Sequence, residues 1–91
     1  MNNLHYNIRI TGKVQGVFYR ASAITKAVEL GISGFVRNEL DYSVYIEAEG
    51  KPDRLDQFID WCNEGSDFSK VDHVEIEEGG FQDFNSFEIK R

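Results

Sequence analysis

Residues 5–37, HYNIRITGKVQGVFYRASAITKAVELGISGFVR, change their hydrophobic period twice, and those changes decide the fold. From His5 to Thr11, Tyr6, Ile8 and Ile10 alternate with His5, Asn7, Arg9 and Thr11, the period of a strand with one buried face. Gly12 is expected to end that strand. Lys13 to Tyr19 carries Gly16 and no steady period. Ala21, Ile24, Ala27 and Val28 then return at helical spacing, flanked by Ala23 and Leu30, and Gly31 is the expected stop because it turns left-handed without a Cβ clash. Ile32 to Arg37 reads as a second strand.

The second half repeats the order. Val44, Ile46 and Ala48 alternate with Tyr45, Glu47 and Glu49, so Val44 to Glu49 is a third strand, joined to the second by a hairpin over Asn38 to Ser43. Gly50-Lys51-Pro52-Asp53 opens a second helix, with proline in its first turn and Asp53 at the positive end of the helix dipole. Leu55, Phe58, Ile59 and Cys62 make its apolar face, and Gly65 stops it. Val71 to Glu78 is a fourth strand and Ser86 to Lys90 a short terminal one. The fold class is α+β: a βαββαβ split arrangement with a mostly antiparallel sheet, two helices on one face and a short extra C-terminal strand. The acidic run Glu75, Glu77 and Glu78 reads as a solvated edge, where charge discourages edge-to-edge pairing.

At 91 residues the chain is expected to form a single domain over 1–91, with no room for a separate cofactor domain. A formal charge of -6 makes nucleic acid and anionic membrane poor partners, and any anion site must be locally positive. The one cysteine, Cys62, cannot form an internal disulfide, which points to the cytoplasm. No apolar run approaches the roughly 20 residues of a membrane span. The polar start Met1-Asn2-Asn3 does not read as a signal peptide, so a complete protein is expected. A monomer is the simplest state, because acidic surfaces repel.

The segment Gly12-Lys13-Val14-Gln15-Gly16-Val17-Phe18-Tyr19-Arg20 delivers a cation to the start of a helix from a glycine-containing turn. Free N–H groups of a compact turn and a first helical turn converge on an anion, and the helix dipole adds about half a positive charge. Arg20 brings two parallel donors that stay charged at any working pH. The plainer alternative is that the glycines only turn the chain and Arg20 is a surface residue. Neither the Walker A pattern nor G-x-G-x-x-G is present, so no nucleotide cofactor is indicated.

Gly12-x-Val14-Gln15-Gly16-Val17-x-Tyr19-Arg20, followed by Gly34-Phe35-Val36-Arg37-Asn38, closely resembles the signature of the acylphosphatase family. The resemblance runs from about Tyr6 to Arg91, including the strand near Val74 and the closing Phe87-Glu88-Ile89-Lys90-Arg91. It implies a ferredoxin-like sandwich and hydrolysis of small-molecule acyl phosphates to carboxylate and inorganic phosphate, with no cofactor and no metal. It also implies roles by position. Arg20 corresponds to the arginine that grips the phosphate, the backbone N–H groups of Gln15, Gly16, Val17, Phe18, Tyr19 and Arg20 complete the cradle, and Asn38 corresponds to the asparagine that orients the attacking water. One position departs: the turn after Asn38 usually carries Asp-Gly, and here it is Asp41-Tyr42. Tyr42 must accept a left-handed backbone at roughly 1 kcal/mol or more, or the hairpin must take another geometry.

Other residues have plainer readings. Cys62 lies on an apolar helix face and reads as packing, and His5 and His73 read as sheet residues rather than metal ligands. Phe18 and Tyr19 either wall an acyl group or fix the loop to the core, and the second reading is preferred. Trp61 reads as a helix residue capping the core. Lys13 and Arg37 either add positive field at the site or are solvated charges. A rival to the enzyme is a binding module, a phosphate or carbamoyl-phosphate sensor; an RNA-binding sheet fits poorly, because Gly34-Phe35-Val36 is only a fragment of such a signature and the domain is acidic.

Overall fold

The structure, a computed structural model, describes residues 3–90. Its elements are β1 (Leu4–Lys13), α1 (Tyr19–Leu30), β2 (Ser33–Asn38), β3 (Val44–Gly50), α2 (Pro52–Glu64), β4 (Lys70–Gly79) and β5 (Phe87–Lys90). The strands form one five-stranded sheet in the order β4-β1-β3-β2-β5. All pairs are antiparallel except β2 with β5, which is parallel. This is the ferredoxin-like α+β arrangement expected, with the short fifth strand added at the β2 edge. Arg91, the last residue of the closing motif, lies outside the described residues.

The alternation in β1 and β3 is met in the packing. Ile8, Ile10, Val44, Ile46 and Ala48 are fully buried on one face, against Ala23 and Ala27 of α1 and Leu55, Phe58 and Cys62 of α2. Burial pushes the Cys62 thiol up to about 12, which leaves it a packing group. The buried stripe of α1 differs from the one expected. It runs through Tyr19, Ala23, Ala27 and Leu30, while Ala21 and Val28 face solvent. The phase is set by Tyr19, whose hydroxyl donates to the Cys62 carbonyl at 2.8 Å and whose ring lies 4.9 Å from that of Trp61. Alanines are small enough to sit on either side, so their spacing alone could not fix it.

Gly12 does not end β1. The strand passes through it to Lys13, with its register against β4 shifting between Thr11 and Gly12. At φ 124° Gly12 lies so close to β4 that a Cβ there would collide with the Lys70 carbonyl and the Asp72 amide. It makes a bulge that bends the strand end, a task glycine performs without a steric penalty.

The face away from the helices is less open than its alternating polar residues imply. The link from β4 to β5 must span the whole sheet, and it crosses above β1 and β3. There the backbone N–H groups of Gln82 and Phe84 donate to the Glu49 carboxylate, the latter at 3.0 Å. His5 Nδ1 donates to the same carboxylate at 2.7 Å, and its Nε2 faces Asn7 Oδ1 at 2.8 Å. The Phe84 ring covers them, 5.9 Å from both the His5 and Phe35 rings. Glu49 is therefore 1% exposed and His5 3%. Burial raises the Glu49 carboxyl pKa, but the hydrogen bonds from Gln82, His5 and Phe84 outweigh that and hold it below the ordinary carboxylate value.

A carboxylate with a depressed native pKa contributes stability that is present above its unfolded pKa of about 4.3 and is lost as pH falls through the native value. Glu49→Gln is therefore expected to cost about 1–3 kcal/mol at pH 7 and to flatten the fall in stability between pH 5 and 3. Urea unfolding across that pH range checks both; a variant whose acid-side slope equals that of the parent rules out the Glu49 carboxylate as its source.

Candidate active site

The turn between β1 and α1 is built to leave donors unused. Gly16 has φ 71°, and Phe18, at the helix N-cap, is also left-handed at φ 63° and ψ 21° with no side-chain cap. The first amide of the turn region to find a backbone acceptor is Ser22, donating to the Phe18 carbonyl at 3.0 Å. Among the described residues, no backbone carbonyl accepts from the consecutive N–H groups of Gln15 to Arg20. Their dipoles, with the N-terminus of α1 behind them, form a positive concavity.

The turn is held from several sides. Val14 and Val17 are buried in the core beneath it, and Tyr19 fixes the first helical residue to α2. Ser66, just past α2, donates to the Val17 carbonyl at 2.7 Å. Gln15 Nε2 donates to the carbonyls of Glu39 and Ser43, at 2.9 and 2.8 Å, and so ties the turn to the hairpin after β2. This hairpin begins at Asn38.

Arg20 and Asn38 line one cleft of about 270 Å³, together with Gly16, Phe18, Tyr19 and Ile89. Arg20 is half-buried, and among the described residues it makes no ion pair, in contrast to Arg9 and Arg37. Asn38 Oδ1 is buried without a hydrogen-bond partner. A guanidinium without a counter-ion, a row of open amides and an orphan acceptor thus share one small space. The arrangement can grip an oxyanion and hold a hydroxylic group beside it.

The sequence-predicted residues divide by what their side chains do. Arg20 and Asn38 meet in the cleft, with the backbone of Gly16, Phe18 and Tyr19. Gln15 and Val17 turn their side chains to structural work, so any role in anion binding belongs to their amides. Tyr19 fixes the loop to the core as preferred, but Phe18 does not: it is 72% exposed. Arg37 lies on the opposite face of β2 from Asn38. Its Nε donates to Glu39 at 2.8 Å, and its guanidinium stacks 4.8 Å from the Tyr45 ring. It supplies no free charge to the cleft, and Lys13 is exposed at the strand end. Trp61 packs against Tyr19 and Phe58, as expected of a core cap. Ser66 and the Gln15 clamp gave no sequence signal, because their partners are backbone carbonyls distant in the chain.

The hairpin keeps its left-handed residue. Tyr42 has φ 71° and is 76% exposed, and its N–H donates to the Glu39 carbonyl at 3.1 Å. Asp41 Oδ1 accepts from the Ser43 N–H and hydroxyl at 3.0 and 2.5 Å, hydrogen bonds that hold its carboxyl below the ordinary value. This Asx-type turn holds the loop where glycine is usual. Among the described residues no group of His, Cys, Asp and Glu is placed to hold a metal ion, and no helix is long and apolar enough to cross a membrane.

Comparison with known proteins identifies a family by both sequence and structure. Residues 6–89 match the family model described as Acylphosphatase. The acylphosphatase of Marinobacter nauticus is 46% identical over 83 residues, covering 90% of each chain. That of Shewanella amazonensis is 48% identical over 71 residues, 78% of each chain. Among solved structures, an acylphosphatase from Coxiella burnetii superposes with a TM-score of 0.94 at 34% identity, over 98% of this chain and 94% of that one.

Two substitutions test the geometry of the clamp and hairpin. Gln15→Ala removes two hydrogen bonds from carbonyls that each keep one backbone donor, Tyr42 N–H and Glu39 N–H, and is expected to cost about 0.5–1.5 kcal/mol in urea unfolding, which an unchanged midpoint would contradict. Tyr42→Gly is expected to gain about 0.5–1 kcal/mol in the same measurement, relief of left-handed strain exceeding the added chain entropy.

Proposed function

The chain belongs to the acylphosphatase family, a hydrolase acting on acyl phosphates, and from that premise we propose how its own groups divide the work. Arg20 and the amides of Gln15 to Arg20 hold the phosphoryl oxygens, and Asn38 holds the attacking water. The observation that carries this reading is the orphan Asn38 oxygen in the same cleft as the unpaired Arg20.

An acyl phosphate is a mixed anhydride with a good carboxylate leaving group, so neither a strong nucleophile nor a general acid is needed. Positioning and charge stabilisation suffice. The water oxygen forms a bond to phosphorus while the phosphorus–oxygen bond to the acyl group breaks. The carboxylate departs with the electron pair of that bond. An amide is no base at neutral pH, so the water's proton passes to the phosphoryl oxygens or to solvent. Asn38 Oδ1 accepts a hydrogen bond from the water and aims its lone pair along the line of displacement. As charge redistributes over the phosphoryl group, the fixed amides and Arg20 stabilise it without reorganising. The reading takes residues 1–91 as one catalytic domain, acting as a monomer in the cytoplasm and relying on no metal.

Release of phosphate from an acyl phosphate, assayed in excess chelator, tests it. Arg20→Ala and Asn38→Ala are each expected to lose roughly 100-fold or more in kcat/KM, as when a transition-state hydrogen bond is removed. Saturable phosphate binding without turnover in the parent protein would favour the sensor. Undiminished turnover in Asn38→Ala would remove its water-holding role alone.

A further inference from the structure

Phe18 is poorly explained by stability. Its backbone is left-handed, a conformation that costs a bulky L-residue about 1–2 kcal/mol, yet its ring is 72% exposed and recovers little burial. The anchoring of the loop falls to its neighbour Tyr19 instead. The Phe18 side chain stands as a ridge between two hollows. On one side lies the cleft of Arg20 and Asn38. On the other is a second hollow of about 310 Å³, bordered by Trp61 and by Phe68, which is itself 70% exposed.

Phe68 sits on a constrained turn. The Ser69 amide and hydroxyl both donate to the Ser66 carbonyl, at 3.0 and 2.8 Å, and the Ser66 hydroxyl is bound to the cradle at Val17. Two exposed phenyl rings are thus presented beside the cradle on backbone that cannot easily withdraw them. Displacement at phosphorus is in line, so the acyl group must leave on the side of the phosphoryl group opposite the water. Asn38 borders the cleft and not the second hollow. Phe18 borders both, so an acyl group that leaves the cleft over its ring reaches the second hollow.

We propose that Phe18 and Phe68, with Trp61 as the floor, form an acyl subsite that selects acyl phosphates with an apolar, preferably aromatic, acyl group. This rests on the placement of phosphate and water given above. The contact is to a part of the substrate that does not react, so it lowers KM for large apolar acyl groups and leaves the chemical step to the cradle. Asp67, also bordering the hollow, opposes an anionic acyl group there.

The test compares kcat/KM for benzoyl phosphate and acetyl phosphate, because damage to the cradle affects both substrates and cancels in their ratio. The benzoyl-to-acetyl ratio is expected to fall about tenfold in Phe18→Ala and about threefold or more in Phe68→Ala, carried by KM for benzoyl phosphate. Phe68→Tyr, which keeps the ring, holds the parent ratio within about twofold. Ratios unchanged in both alanine variants, with Arg20→Ala still inactive, overturn the subsite and leave the cradle standing. Full turnover in Arg20→Ala overturns the cradle, and the subsite with it.

Discussion

Backbone amides without acceptors are the constraint around which this molecule is arranged. An N–H that finds no acceptor in the protein must face solvent or a ligand, because one buried without a partner costs about 1–3 kcal/mol. Here a consecutive run from Gln15 to Arg20 is kept open at the junction of β1 and α1. Such a turn collapses onto itself unless something outside it fixes its shape. Four contacts do so: the buried Val14 and Val17 below, Tyr19 to Cys62, Ser66 to Val17, and Gln15 to the hairpin. Each comes from a different part of the chain, so the turn is only as rigid as the whole sandwich.

The topology then brings in the remaining group. β2 lies two places from β1 in the sheet, separated by β3, and Asn38 is its last residue. The strand end alone leaves the height of Asn38 above the cradle undetermined. Gln15 sets it, because one side-chain amide bridges to both Glu39 and Ser43. Gln15, whose own amide is open, thus uses its side chain to hold the hairpin that follows Asn38. The two parts of the site are registered through a single amide group.

Much of this was legible in the chain. Period-two alternation fixed β1 and β3, and the apolar face of α2 was placed by Leu55, Phe58 and Cys62, all fully buried. The motif from Gly12 to Arg20 and the family string ending at Asn38 pointed to Arg20 and Asn38, which do share a cleft, although the second strand was expected to stop at Arg37 and runs on to Asn38. What failed did so for physical reasons. The phase of α1 rested on alanines that fit anywhere, and only Tyr19, counted as loop, had the bulk to set it. Gly12 looked like a terminator because a bulge and a strand end demand the same permissive backbone. The burial of Glu49 could not be read, because alternation describes one strand and carries no information about a link, Gly80 to Ser86, that later crosses above it. The Gln15 and Ser66 hydrogen bonds end on carbonyls, which every residue has, and so no residue type announces them.

The two non-glycine residues in left-handed turns beside the site show how strain is distributed. Tyr42 is held by the Asx turn of Asp41, whose carboxylate satisfies Ser43, so its strain supports a hairpin already fixed by Gln15. Phe18 has no such local compensation: its N-cap position carries no side-chain hydrogen bond. That lack has a chemical consequence. The side-chain oxygen of a Ser, Asp or Asn at the N-cap would accept from the first amides of α1, stabilising the helix by about 1 kcal/mol and filling the turn from within. An apolar residue cannot compete for those N–H groups. The amides of the first turn therefore stay available, and the uncapped, strained start of α1 is the condition on which the proposed grip on an oxyanion depends.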